Sequence, residues 1–444
     1  MTVHSILPSA TRRAALAGLG LAGLAGLTAC GAGSRNPAEQ AAKVACEVPQ
    51  PDSAVTINVL AYNSSSIDPF TNTLVNSCTS GNITLRHEPI DFAGQVQRTQ
   101  ATLAGETGTY DIIETYSFVI PQFGDEGTVV GLNQYLEEFG EAYGLDALSD
   151  AMLEAMTYDG ELYALPMQAQ MHLMAYRQDI FDELGLEAPA TFEELRAAAK
   201  AIQEAGEIEH PIAMPLKADA DLATAYDMAL GSLGVDMTDA EGTTGNFDAP
   251  EAAQAFEELM SLIPYMDPEV TTFDQPSVQQ QMYNGTAAIA IMFSGRMNDL
   301  TMESNTELAP QFAFAPPPTV VEGGHYFASL SVDGWSIPTN ASTDKASLFQ
   351  MIASSLSEEA SREAVPAAYP AREGMVDEDS SPYAVAANTT IEDVPPSEPY
   401  PWTAELTNAI TPLIASVFLE QVSVEDGLSQ MQTTSADLLA AYSG

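Results

Sequence analysis

The chain has 444 residues, of which 14 are Lys or Arg and 62 are Asp or Glu, for a formal charge of −48 at pH 7. That balance argues against a nucleic-acid partner, because phosphate backbones need a basic face and so few cations cannot form one here. With 45% apolar and 8% aromatic residues the chain supports a packed core, and its length suits about two to three domains.

Residues 1–30 read as an export signal: Arg12-Arg13, an apolar run over 14–28, then Ala29-Cys30. The run has 15 residues, short of the roughly 20 that span a bilayer, and no stop-transfer charge follows it. Leu27-Thr28-Ala29-Cys30 before Gly31 resembles the lipobox of bacterial lipoproteins, in which the Cys is diacylated and the chain is cut before it. Residues 11–16 also resemble a twin-arginine motif, with a general secretory signal as the alternative. Removing residues 1–29 takes away two arginines and makes the formal charge −50. A GxGxxG match at 18–23 falls inside this signal with no strand before it and carries no dinucleotide site. Residues 30–53, rich in Ala, Gly and Pro, read as a tether. Cys46 and Cys78 would close a loop of 31 intervening residues, a bridge contributing about 3 kcal/mol. The alternative is a pair of reactive thiols, but there is no CxxC spacing or nearby His.

Along the rest of the chain, Val55–Leu60 reads as a first strand ending in the polar turn Asn63-Ser64-Ser65-Ser66, and Ile83–His87 as a second. Residues 91–103 read as a helix with Phe92, Val96 and Leu103 on one side, followed by a strand at 111–114. Thr191 and Glu194 form a capping box for a helix whose face is Phe192, Leu195, Ala199 and Ile202, and Asp248 with Glu251 repeats the pattern. Later strands are expected at 171–176, 287–292, 311–314 and 331–337, and helices at 348–356 and 428–441. The Pro-rich residues 395–401 read as an extended connection. Strands alternating with helices imply βαβ units and mostly parallel sheets.

Signatures of catalysis are missing. The five His, at 4, 87, 172, 210 and 325, show no metal-ligand spacing. There is no GxSxG elbow and no GxxxxGK[ST] loop. A carboxylate pair for glycoside hydrolysis stays open among 62 acids.

Several stretches in order resemble one family. Asp159-Gly160-Glu161-Leu162-Tyr163-Ala164-Leu165-Pro166 leads into the strand at 171–176, then Asp179-Ile180-Phe181, Leu184-Gly185-Leu186 and the Thr191-capped helix. Met282-Tyr283-Asn284-Gly285-Thr286-Ala287-Ala288-Ile289, Val332-Asp333-Gly334-Trp335-Ser336-Ile337-Pro338 and Tyr369-Pro370-Ala371-Arg372 follow. This order resembles the extracellular solute-binding proteins, family 1, across about residues 55–444. Two departures stand out: the basic residue before Ile180-Phe181 has moved to Arg177, and Asp333 replaces a usual Gly.

The resemblance implies an α/β, two-lobed, periplasmic-binding-protein-like fold, each lobe a mostly parallel sheet flanked by helices, with a ligand cleft between. It implies an N-terminal lobe of residues 54–165 plus 323–368 and a C-terminal lobe of 166–322 plus 369–444, crossing near Leu165-Pro166, 322–324 and Tyr369-Pro370. Tyr62, Asn63 and Ser64, then Glu114 and Tyr116, follow strands at places where this family meets ligand; ordinary turn roles are the alternative. Gln168 and Gln170 follow Pro166, and Gln170 falls where the family's maltose-binding member carries a ligand-contacting acid. His172 alternates with them, with a core role as the alternative. Phe293 and Arg296 follow the strand at 287–292, and Asp333 and Trp335 lie in the hinge-proximal strand. Arg372 would donate in a planar fork to ligand oxygens, or make a lobe-to-lobe salt bridge.

Together these imply a lipid-anchored binding component of an ABC importer on the outer face of the cell membrane. It would be a monomer without cofactor, taking a sugar, oligosaccharide or polyol and delivering it to permease subunits. The alternatives are a binder of a cationic or peptide-like solute, a glycoside-acting surface enzyme, or a sensor or adhesin lipoprotein.

Overall fold

Residues 41–395 and 399–442 are described by the computed structural model. The signal, Cys30 and the first part of the tether lie outside the described residues, as does the centre of the Pro-rich connection.

Three short strands rich in Ile and Val, β1 (Val55–Leu60), β2 (Ile83–His87) and β3 (Ile112–Tyr116), pair in parallel with β1 in the middle. They are joined by helices α1 (Asp68–Cys78) and α2 (Phe92–Leu103). A hairpin of β4 (Thr157–Tyr158) and β5 (Glu161–Leu162) turns at Asp159-Gly160, both at positive φ of 48° and 78°. The Asp-Gly pair suits that left-handed turn.

The next strand, β6 (Leu165–Arg177), has 13 residues and organises the molecule. Its odd positions Leu165, Met167, Ala169, Met171, Leu173 and Ala175 enter one hydrophobic cluster. Its even positions Gln168, Gln170 and His172 share the other face, as the two-residue period of a strand requires. The remaining strands are β7 (Ile212–Ala213), β8 (Ile289–Phe293), β9 (Phe312–Ala315), β10 (Leu330–Ser336) and β11 (Tyr369–Pro370). The sheet order is β2-β1-β3-β10-β6-β8-β7, with β9 and β11 also on β6.

Up to Met171, β6 pairs with β10; from His172 onward it pairs with β8 and β9. One strand thus serves two sheets and two cores. The first core holds Ile57, Phe70, Ile112, Trp335 and Phe349, the second Phe181, Phe192, Tyr226, Phe256 and Ile410. The first also reaches Val278, Met282, Met292 and Met297, so the two lobes pack against one another.

Several expectations are corrected. Parallel pairing holds for β1–β3 and β7–β8, but β10 runs antiparallel to β3 and β6, and β6 antiparallel to β8, β9 and β11, which makes the sheet mixed. Strand β6 exchanges partners between Met171 and His172. Phe327, which follows residues 322–324, packs in the second core. Tyr369-Pro370 pairs with Ala169 and Gln168, and Ala386 and Ala387 still join the first core, whereas Trp402 and Leu406 join the second.

Helix α2 buries Gln95, Thr99 and Thr102 and leaves Phe92 46% exposed. Of the expected apolar face only Phe92 stands outside: Val96 and Leu103 are half-buried, and Leu103 packs against the cluster of Leu60 and Ile113. Thr191 caps its helix as read, but Asp248 does not cap: Pro250 takes the first turn of the helix Pro250–Met260 and Ala249 stands at its N-cap.

A disulfide joins Cys46 to Cys78, fastening residues that precede β1 to the end of α1. Replacing both by alanine is expected to lower the unfolding free energy by about 2–4 kcal/mol. Denaturant unfolding measures this, and an unchanged midpoint would mean the bridge contributes nothing.

Candidate functional site

The register of three strands assembles the site. Across β3 and β10, Glu114 faces Trp335 and Tyr116 faces Asp333; across β10 and β6, Asp333 faces Gln168 and Ser331 faces Gln170. Directly opposed residues share a sheet face. Six of the expected residues therefore lie on one face of adjoining strands. The close approach at the irregular Asp333/Gly334 step needs glycine, since a Cβ on Gly334 would stand 2.7 Å from the Leu165 carbonyl oxygen.

Asp333 is the centre of this layer. Its Oδ2 accepts from Gln168 Nε2 at 3.0 Å and from Gln170 Nε2 at 2.6 Å, and Gln170 Nε2 also reaches the Tyr62 hydroxyl at 3.1 Å. Glu114 Oε2 accepts the Tyr62 backbone N–H at 2.9 Å. Tyr116 donates to Gln95 Oε1 at 3.0 Å, while Gln95 Nε2 donates to the Glu114 carbonyl at 2.8 Å. Glu114 and Gln168 are fully buried, yet Glu114 Oε1 and Gln168 Oε1 have no partner.

Asn63 and Ser64 serve the turn between β1 and α1. Asn63 donates to Asp68 Oδ1 at 3.0 Å and accepts from Ile90 N at 2.8 Å, and Ser64 Oγ lies 3.1 Å from Ser66 Oγ. Ser65 Oγ then donates to the Gly295 carbonyl at 3.0 Å, tying this turn to the one after β8. Gly295 is held to minimal size, because a Cβ there would meet Ser66 Oγ at 2.7 Å and Gln170 Oε1 at 2.8 Å.

Phe293 packs on the His172 ring at 4.0 Å between centroids, and Ser329 Oγ sits 3.2 Å from His172 Nδ1. Arg296 donates to Gln279 Oε1 at 3.1 Å. Trp335 shares the polar face and, like Glu114 and Gln168, is fully buried; it joins the first core, its Nε1 without a partner. Arg372 lies apart from the layer. It donates to the carbonyls of Leu356, Gly144 and Tyr143, and among the described residues it enters no salt bridge.

The residue-type reading missed four kinds of participant. Gln95 was signalled only by the polar spacing Gln95, Thr99, Thr102 on one helix face. Asp68, 2% exposed with Oδ2 unpartnered, opens α1 and had no signal beyond its neighbour Pro69. Ser65 was within the expected turn but not singled out. Phe92 and Phe118, both largely exposed, extend an aromatic row: Phe92 lies 5.7 Å from Tyr62 and 5.4 Å from Tyr116, and Phe118 stacks on Tyr116 at 5.4 Å.

Electrostatically the layer holds acids away from water. Burial pushes Asp333 up to about 7, and Asp68 likewise to about 7. Glu114 is raised well above its usual range by burial, then by Asp333 and by Asp68. Burial pulls His172 down to about 3, keeping its imidazole neutral. Among the described residues no group of three His, Cys, Asp or Glu side chains is placed to hold a metal ion, and no helix is long and apolar enough to cross a membrane.

The comparisons with known proteins now bear on this geometry. The chain matches the bacterial extracellular solute-binding protein model over residues 81–361. It belongs to that family. The chain spans about half the length of the curated relatives it matches first: a putative binding protein of Brucella abortus (strain 2308) is 26% identical over 227 residues, covering 50% of this chain and 53% of that protein. The erythritol/L-threitol-binding protein of Mycolicibacterium smegmatis is 23% identical over 360 residues, 74% of each chain. Among solved structures, a maltose-bound protein of T. maritima aligns with a TM-score of 0.78 at 17% identity, covering 87% of this chain and 100% of that one. A ribitol complex from Agrobacterium radiobacter K84 gives 0.77 at 18% identity, covering 88% and 100%. At such identities the structures establish the fold: two α/β lobes joined by shared strands.

An acid with a raised folded pKa binds more protons folded than unfolded, so the stability it confers is present below its unfolded value near 4 and is lost as pH rises toward about 7. Buried neutral His172 acts oppositely, between about 3 and 6.5. Comparing wild type with Asp333→Asn isolates the acid: the wild type's relative stability is expected to fall as pH is raised from 5 to 8 in thermal melts. A difference independent of pH would contradict the burial of an ionisable Asp333.

Proposed function

We propose that this protein is the extracellular binding component of an ABC importer and captures a carbohydrate, either a sugar, an oligosaccharide or a polyol. The observation that carries this reading is the buried polar layer of Glu114, Asp333, Gln168, Gln170 and Tyr62 where β6 passes from one sheet to the other. Carboxylate and amide oxygens on one rigid sheet face suit several ligand hydroxyls at once, and hydrogen bonds to charged groups contribute about 1.5–3 kcal/mol each. Phe92 and Phe118 offer exposed rings beside it for the apolar faces of a sugar. The family membership and the relatives whose names carry erythritol, threitol and mannitol support the same class.

In this reading the first lobe comprises the described residues up to 171 plus 330–391 and the second 172–329 plus 399–442, and they close on the ligand by bending at the shared strand. No bond in the ligand is made or broken. Cys30 carries the lipid after removal of residues 1–29, the monomer stays tethered at the outer face of the cell membrane, and separate permease subunits receive the ligand.

A thermal-shift screen of the purified protein against sugars, polyols, peptides and polyamines tests the class. A ligand at 100 times its Kd is expected to add about 2.7 kcal/mol of stability, and Gln170→Ala and Glu114→Ala to weaken binding of that ligand about 10- to 100-fold. A shift with a peptide and none with any carbohydrate would overturn the reading, and so would release of shorter products from an oligosaccharide.

A further inference from the structure

The layer has an uneven supply of hydrogen-bonding groups. Both glutamines spend their amide N–H groups on Asp333 Oδ2. That choice fixes their orientation, because a carboxylate can only accept from them. Among the described residues, two acceptors of the layer are left without partners, Glu114 Oε1 and Gln168 Oε1, against one unpartnered N–H, that of Trp335; on α1, Asp68 Oδ2 is likewise unpartnered, beside the hydroxyls of Thr71 and Thr73. Gln168 is itself fully buried and bonded to Asp333, so its free carbonyl oxygen belongs to the same layer.

Charge is equally uneven. The charged groups acting on Glu114 are Asp333 and Asp68, and those acting on the Tyr62 hydroxyl are Asp333 and Glu114. Among the described residues no salt bridge includes Glu114, Asp333 or Asp68. Arg296 acts on Asp299 and Asp221 and donates to Gln279, so its charge is directed elsewhere. Glu114 and Asp333 are diagonal neighbours on β3 and β10, about 7–8 Å apart along the sheet. That spacing admits one donor group between two carboxylates.

We propose that the captured solute is an amino sugar or amino polyol whose protonated amine is held between Glu114 and Asp333. The proposal rests on the carbohydrate reading above and narrows it. An ammonium brings three N–H donors, no acceptor and one positive charge, and each of these answers what the layer lacks. A neutral hydroxyl would bring a lone-pair acceptor with its donor and no positive charge for the two buried acids. The overall charge of −48 also draws cationic solutes toward the protein.

Calorimetric titration of the purified protein at pH 7.5 with matched pairs tests this: hexoses, pentitols and hexitols, each against its monoamino counterpart and, for the hexoses, the N-acetylated one. The amine-bearing member of the pair that binds is expected to bind at least tenfold more tightly than its neutral partner. In Glu114→Gln and Asp333→Asn that preference is expected to shrink toward unity. A neutral or N-acetylated member binding as tightly as the free amine would overturn the proposal and leave the carbohydrate reading intact. Tighter binding of putrescine, which has charge and no hydroxyls, would instead overturn the carbohydrate reading, and no binding by any member would overturn both. The wild-type comparison decides the matter even if a variant fails to fold.

Discussion

A single strand shared by two sheets is the constraint on which the molecule depends. Leu165–Arg177 exchanges β10 for β8 and β9 between Met171 and His172, and its alternation places methionine, leucine and alanine on the core side and Gln168, Gln170 and His172 on the other. Because a strand's side-chain period is two, a one-residue shift beyond the irregular Asp333/Gly334 step would turn the glutamines away from Asp333. The exchange of partners and the polar layer thus lie on one piece of backbone.

The second consequence is electrostatic. Burying Glu114, Asp333 and Asp68 against one another without a neighbouring cation is unfavourable, and the molecule tolerates it by raising their proton affinity. Such a layer is poised to gain from whatever supplies donors or positive charge, whether protons or a ligand. The wider acidity of the chain is a separate matter. Most of the 62 acids have no role in the site, and a solvated acidic coat serves solubility in an exported protein.

Sequence patterns revealed elements more readily than their partners. Val55–Leu60 and Ile83–His87 were legible to the residue because short Ile- and Val-containing runs end in polar turns. The 13-residue length of β6 was not, because a glutamine-bearing stretch after proline reads as a loop until β10 and β11 are known to pair with it. Glu114, Gln170 and Asp333 were identifiable by type and place, but their meeting depends on register between segments more than 150 residues apart. Trp335 and Arg372 show the limit of reading by residue type. An indole or a guanidinium looks the same in sequence whether it meets a ligand, a core, or the carbonyls of Leu356, Gly144 and Tyr143. Phe92 shows the converse: it was assigned to a packing face, yet stands exposed beside the site.

The most direct test of the central claim is a crystal structure of the protein with a bound carbohydrate. The account predicts ligand oxygen or nitrogen atoms within hydrogen-bonding distance of Glu114, Asp333 and Gln170, with the two lobes closed about the Met171–His172 step. A ligand seated away from β6, with Asp333 still bonded only to its two glutamines, would contradict it.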